Sequence, residues 1–355
     1  MAKLSPAATD RARTLALAFG GLAVFWVLGL PLPFLFGPMT ACLIAALAGV
    51  RLKGMGQVSV GARTILGVAV GASITPALIG QLPQMAISVA LVPIYVVVIA
   101  AIGVPFFRKV YGFDWPTSWY AAMPGGLQDM VIFGQEAGAD VRALSLIHAT
   151  RVLIIVTIAP AILVYGFGQT LDIPIGQPAA ELPLAELALM VAAALVGWKG
   201  GERIGLFGAS ILGPMIVTAI LSLSDLIHVR PPAEAILLAQ FLIGIGIGVG
   251  YVGVTWHELR RDVAAGLLFV LILAALAAIF TEIVVLAGLA GPVEGFLSFA
   301  PGGQAEMTVL AIVAGADLGF IVVHHLTRIL FVITGAPIAA RIFGVTAKPR
   351  GDPDA

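Results

Sequence analysis

The sequence predicts an all-α polytopic membrane protein built from two inverted repeats. Each repeat would cross the bilayer five times and carry one re-entrant Pro-Gly-Gly hairpin, giving ten crossings with both termini cytoplasmic. Three observations lead there: composition, an internal repeat, and the placement of lysine and arginine. The 355 residues are 60% hydrophobic and 11% charged, with a mean hydropathy of +1.07, whereas soluble domains carry roughly 25% charged residues. Net charge is zero, so no surface suited to nucleic acid is implied. Cys42 is the only cysteine, which excludes an internal disulfide and a cysteine-rich metal site.

Apolar stretches of membrane length fall near 14–30, 36–50, 61–80, 85–106 and 143–167, then near 184–198, 205–224, 235–255, 263–289 and 318–342. Two further segments, about 117–138 and 295–315, contain helix breakers that make uninterrupted crossings improbable. The basic residues Lys3, Arg11 and Arg13 ahead of the first stretch imitate a signal peptide. That stretch belongs to the first repeat and ends in no small-x-small site, so it is expected to be retained.

The repeat is explicit. Pro124-Gly125-Gly126, Ala137-Gly138-Ala139-Asp140 and His148-Ala149-Thr150-Arg151 recur as Pro301-Gly302-Gly303, Ala314-Gly315-Ala316-Asp317 and His325-Leu326-Thr327-Arg328. The offset is 177 throughout, and 15 of the 37 residues from 124 to 160 match without a gap. If the two breaker segments dip in and return, Arg51/Lys53/Arg63, Arg108/Lys109/Arg142, Lys199/Arg203, Arg260/Arg261 and Lys348/Arg350 all fall on the side of the N-terminus. The opposite loops then hold Arg230 alone among basic residues. Five crossings per repeat invert the second copy relative to the first. The expected division is 14–167, a linker at 168–183 on the outer side (Gln169, Asp172, Pro174, Gly176, Pro178), and 184–345. Trp115, Trp119, Trp198 and Trp256 fall near inner boundaries, and Trp26 and Tyr165 near outer ones.

Each polar residue of the repeat has a candidate role. Pro-Gly-Gly ends one helix and opens the next, Gly125 and Gly302 being able to take backbone angles other residues avoid. The exposed N–H groups of the new helix suit an anion. Substrate binding is therefore expected from Pro124, Gly125, Gly126, Pro301, Gly302 and Gly303, together with Arg151 and Arg328. A guanidinium deep in a membrane helix is costly unless paired or facing water. Its alternatives are an ion pair with Asp129 or Glu306, or a bond to a cap carbonyl. Asp129 and Glu306 would hold a coupling proton or cation, or merely cap a helix. His148 and His325 would relay protons, or be satisfied structural groups. Asp140 and Asp317 are expected helix caps, and His324, which has no counterpart, is incidental. Gly67, Gly71 and Ser73, matched by Gly244, Gly248 and Gly250, are expected to allow close helix packing. Gly37-Pro38 and Gly213-Pro214 mark matched helix starts or kinks.

These motifs together resemble the AbrB-duplication integral membrane protein family of Gram-negative bacteria, over essentially the whole chain. The resemblance implies the labels its members carry, regulator of gene expression or ammonia monooxygenase. An oxygenase would need a copper or iron site, and no cluster here has metal-ligand spacing. The architecture is also similar to that of citrate–sodium and glutamate–sodium symporters, which have two re-entrant hairpins.

The expected function is a secondary transporter of a small anionic or carboxylate solute, coupled to a proton or cation, in a multi-pass protein of the bacterial inner membrane. The alternatives are a membrane sensor acting on gene expression through a partner and, less favoured, a membrane monooxygenase. No catalytic residue, cofactor or metal is expected. Expected partners are the lipid bilayer, the solute and a proton or sodium ion, with a homo-oligomer left open.

Overall fold

Helix starts in this chain follow simple capping chemistry. The Ser5 side chain accepts from the Ala8 N–H and Pro6 takes the first helical position. The first helix therefore begins well ahead of the apolar run at 14. Thr75 does the same for Leu78 ahead of Pro76. Residues 76–80, expected at the end of the third stretch, instead open the fourth helix.

The computed structural model describes residues 5–30, 32–171, 175–206 and 208–345, with backbone only at Gln128. Lys3, Lys348 and Arg350 of the charge pattern, and Asp172 and Pro174 of the linker, lie outside the described residues. The first half runs α1 Pro6–Val27, α2 Pro33–Leu47, α3 Gln57–Gly71, α4 Pro76–Val110, α5 Trp115–Ala122, α6 Leu127–Glu136 and α7 Val141–Gly166. The second half runs α8 Leu184–Arg203, α9 Ala209–Leu223, α10 Ala233–Val249, α11 Trp256–Leu286, α12 Pro292–Phe299, α13 Gln304–Val313 and α14 Leu318–Ile342. Among the described residues there is no strand.

Among the described residues, five helices are long and apolar enough to cross a membrane: α4, α7, α8, α11 and α14. The apolar helices α2, α3, α9 and α10 have 15 to 17 residues. At 1.5 Å per residue that is about 22–26 Å, somewhat less than the ~30 Å hydrocarbon thickness. Pro38 and Pro214 sit inside α2 and α9 rather than at their starts. Arg108, Lys199 and Arg260 lie over the rings of Trp115, Trp198 and Trp256 at 4.6, 3.9 and 4.9 Å. Such pairs combine an apolar body with a charged tip, as expected near a membrane boundary.

Packing between the halves is an exchange. α1 lies on α2 as α8 lies on α9, α2 on α10 as α9 on α3, and α4 on α14 as α11 on α7. One group thus comprises α1–α3 with α8–α10, and the other α4–α7 with α11–α14. Small residues make the first group possible. A Cβ at Gly67 or Gly71 would strike the Ile211 or Met215 carbonyl of α9, and one at Gly244 or Gly248 the Leu35 or Met39 carbonyl of α2. Gly21 and Gly37 touch backbone to backbone, as do Gly197 and Gly213. Alanine at Gly213 should therefore force α8 and α9 apart and cost about 1–3 kcal/mol. Thermal unfolding in detergent checks this against Gly200→Ala, where the added methyl meets nothing within 4 Å.

The turn between α9 and α10 is strapped to the start of α8. The Glu186 carboxylate accepts from the His228 and Val229 N–H groups at 2.8 and 3.3 Å. The His228 ring nitrogens face Asp225 at 3.0 Å and Glu186 at 3.3 Å. Only the imidazolium can donate to both, so these two carboxylates raise the His228 pKa above its usual value. A raised folded-state pKa means the contribution is complete below about 6.5 and is lost as pH rises through the folded value. Hydrogen exchange of residues 225–229 should accelerate from pH 5.5 to 8.5 in the wild type. In His228→Ala it should show no such step beyond the intrinsic pH dependence.

Candidate functional site

The Ala-Gly-Ala-Asp strings are tight helix-to-helix joints. Gly138 and Gly315 have φ of 84° and 65°, the left-handed geometry that closes a helix end. Around them Ala139 N–H donates to the Gly134 carbonyl at 2.8 Å and Ala316 N–H to Ala311 at 3.0 Å. The next residue caps the following helix. Asp140 accepts from Arg142 and Ala143 N–H, both at 3.0 Å, and Asp317 from Phe320 N–H at 3.1 Å. The backbones of these caps are held in turn. Asp140 N–H donates to the Thr117 hydroxyl at 2.8 Å and Asp317 N–H to the Glu294 carboxylate at 3.3 Å.

The Pro-Gly-Gly strings are elbows between two short helices, α5 and α6 in one half and α12 and α13 in the other. Gly126 and Gly303 are the N-caps of the second helix in each pair. The expectation that Gly125 and Gly302 adopt special backbone angles is not met, since neither has a positive φ. What sets these glycines apart is the close approach of neighbouring side chains. A Cβ on Gly125 would meet the Met130 Cε at 2.7 Å and Val332 at 3.0 Å, and one on Gly302 the Met307 Cε at 2.6 Å.

The His-x-x-Arg stretches grip these elbows from behind. Arg151 Nη2 donates to the Gly125 carbonyl at 2.6 Å and Nη1 to Met123 at 3.4 Å. Arg328 repeats this with Gly302 at 3.0 Å and Ala300 at 2.8 Å. His148 and His325 bond through Nε2 to the carbonyls of Tyr120 and Leu297, at 3.0 and 2.8 Å. Against a carbonyl that nitrogen must be the donor. The last carbonyls of α5 and α12 have no helical partner and carry the negative end of the helix dipole. A buried guanidinium is the natural complement, and each arginine is at most 4% exposed. Neither arginine forms an ion pair among the described residues. Of the alternatives for these arginines, the bond to a cap carbonyl is the one observed. Each retains a buried Nε–H without a protein partner.

Asp129 and Glu306 lie in the first turns of α6 and α13. Their carboxylates fold back against the N-cap glycines, so that a Cβ on Gly126 or Gly303 would run into them. Both helix starts, expected to receive a solute anion, are thus covered by the chain's own carboxylates.

One cavity of about 370 Å³ gathers these groups: Pro124, Gly125, Gly126, Asp129 and Arg151 from one half, and Gly302, Gly303, Glu306 and Arg328 from the other. It lies between the two helix groups, with α3, α9 and α10 forming the facing wall. Pro301, His148 and His325 do not line it. Each histidine sits behind an elbow rather than beside Asp129 or Glu306 in the cavity. His324, read as incidental, bonds the Phe320 carbonyl at 2.8 Å and packs on the Phe320 ring.

Sequence reasoning missed Arg63. It was counted as a boundary charge, yet its side chain lines the same cavity, along with Ser59 and Ser210. Its position two turns into an apolar helix was the available signal, because a charge that far from the boundary needs a reason. Among the described residues, no group of three His, Cys, Asp or Glu is placed to hold a metal ion.

Comparison with known proteins places the chain among relatives of similar sequence. The chain is 25% identical to "Putative regulator AbrB" of Escherichia coli (strain K12), over 95% of this chain and 96% of that one. It is 26% identical to "Uncharacterized protein YhjN" of Bacillus subtilis (strain 168), over 77% of this chain and 75% of the other. No solved structure matches. The family described as transition state regulatory protein AbrB matches residues 34–344, and the chain belongs to that AbrB family.

Proposed function

We propose that the protein is a secondary transporter of a small anion, working by alternating access around the cavity between the two elbows. The observation that supports this best is the gathering of both elbows, both arginines and both acids around one space of about 370 Å³, a size within the range for small-molecule sites. In this reading residues 14–167 and 184–345 are inverted five-crossing repeats joined by an outer linker at 168–183. Both termini face the cytoplasm, in a bacterial inner membrane. The short α2, α3, α9 and α10 cross with the long helices, and the elbows enter from opposite faces without crossing.

The chemistry follows from the contacts. Arg151 and Arg328 keep N–H donors beyond those bound to the elbow carbonyls, and guanidinium suits a carboxylate. Asp129 and Glu306 compete with the solute for the helix starts. A proton or cation on one of them would release that start, which links solute binding to the coupling ion. The group of α4–α7 and α11–α14 then rocks against the other around the site. Uptake into proteoliposomes tests this. Asp129→Asn or Glu306→Gln should lower ion-driven flux at least tenfold while leaving solute exchange measurable. Flux equal to wild type in both variants would remove the acids from the mechanism.

A second reading has one observation in its favour, the name regulator carried by the Escherichia coli relative. A sensor would use the same cavity and signal to a partner. It would bind solute without moving it.

A further inference from the structure

We infer that Arg63 is a specificity-determining residue, selecting a small organic solute with two negative charges. The inference rests on the anion-binding reading above and narrows it. Arg63 projects from α3 into the cavity shared by Arg151, Arg328, Asp129 and Glu306, and it interacts electrostatically with both carboxylates. The cavity therefore holds three guanidinium groups and two acids, one positive charge in excess when both acids are ionised.

Excess charge between membrane helices is unfavourable, so solute and coupling ion together must remove it. A monoanion balances the cavity with nothing else bound. A dianion balances it only together with one proton or cation on Asp129 or Glu306. With a dianion, charge balance as well as access to the helix start thus depends on the coupling ion. A volume of about 370 Å³ suits a short dicarboxylate, with one end on Arg151 and Arg328 and the other on Arg63.

The repeat supports this assignment. The residue equivalent to Arg63, at the offset of 177, is Gln240. It is 1% exposed, with neither amide atom paired, and does not line the cavity. The arginines that hold the elbows come as a matched pair. The third cation is present in one half only, so duplication of the elbow strap does not account for it.

Binding of succinate and of butyrate to the purified full-length protein, by isothermal titration at pH 6.5, tests the inference. Wild type should prefer succinate at least tenfold. Arg63→Gln should abolish that preference, Arg63→Lys should keep most of it, and thermal unfolding should show both variants folded. Equal affinity for the two anions in wild type, or a preference untouched by Arg63→Gln in folded protein, overturns the inference and leaves the transporter reading standing. Binding of neither anion by wild type overturns both.

Discussion

Alanine in place of Arg328 should destabilise the protein by about 3–5 kcal/mol, and lysine by roughly half as much. The guanidinium reaches two buried carbonyls, Ala300 and Gly302, and each acceptor left without a donor costs about 1–3 kcal/mol. Lysine keeps the charge but is a point donor, so it can satisfy one carbonyl well and the other poorly. The unfolding temperature in detergent should therefore fall in the order wild type, Arg328→Lys, Arg328→Ala, with the same order at Arg151. His325→Ala, which frees the Leu297 carbonyl alone, should cost less than Arg328→Ala. Hydrogen exchange should rise first at residues 300–304. An Arg328→Ala protein that unfolds with wild type would mean that the strap contributes nothing. The ranking also governs transport assays, since lost flux in an alanine variant would report a collapsed elbow as readily as a lost solute contact.

Gly303→Ala should do the reverse, sparing stability and disturbing function. The backbone at Gly303 has φ −74° and ψ 151°, which alanine adopts freely. The obstacle to the new methyl is the Glu306 carboxylate, the mobile end of a flexible side chain. Swinging it away should change the unfolding midpoint little. It also uncovers the N-terminus of α13, where an anion is favoured. If the cavity takes an anion as proposed, that solute should then bind at least tenfold tighter, with weaker dependence on the coupling ion. Adding Glu306→Gln should produce little further change, because both substitutions remove the same occupant. Two independent, additive effects would show that glycine and acid do not act as a pair. Gly126→Ala with Asp129→Asn provides the matching test in the other half.

Much of this architecture was legible because the duplicated strings are polar and apolar composition does not generate them. Pro-Gly-Gly and Ala-Gly-Ala-Asp mark the elbows and joints where the helices do end. Other features were hidden for physical reasons. Ser5-Pro6 and Thr75-Pro76 are cap signals within sequence that hydropathy reads as loop or continuing helix. A deep arginine announces a partner, and a cap carbonyl was among the candidates, but main-chain oxygens leave no trace in a sequence that would rank them above the carboxylates nearby. The glycines were credited with unusual torsions, when what sets them apart is how close Met130, Val332 and Met307 come. Arg63 was placed by its neighbours Arg51 and Lys53, although helical rise carries it into the space beside Asp129 and Glu306.

The two straps bind carbonyl oxygens and no side chain of the segment they hold. Nearly any residue presents the same oxygen, so the side chains bordering the pocket can be exchanged while the bend itself stays anchored. A lineage built on this chassis can change what it recognises by single substitutions at the rim. Kinship across the family should therefore show most clearly in the hidden fastenings, and least along the rim.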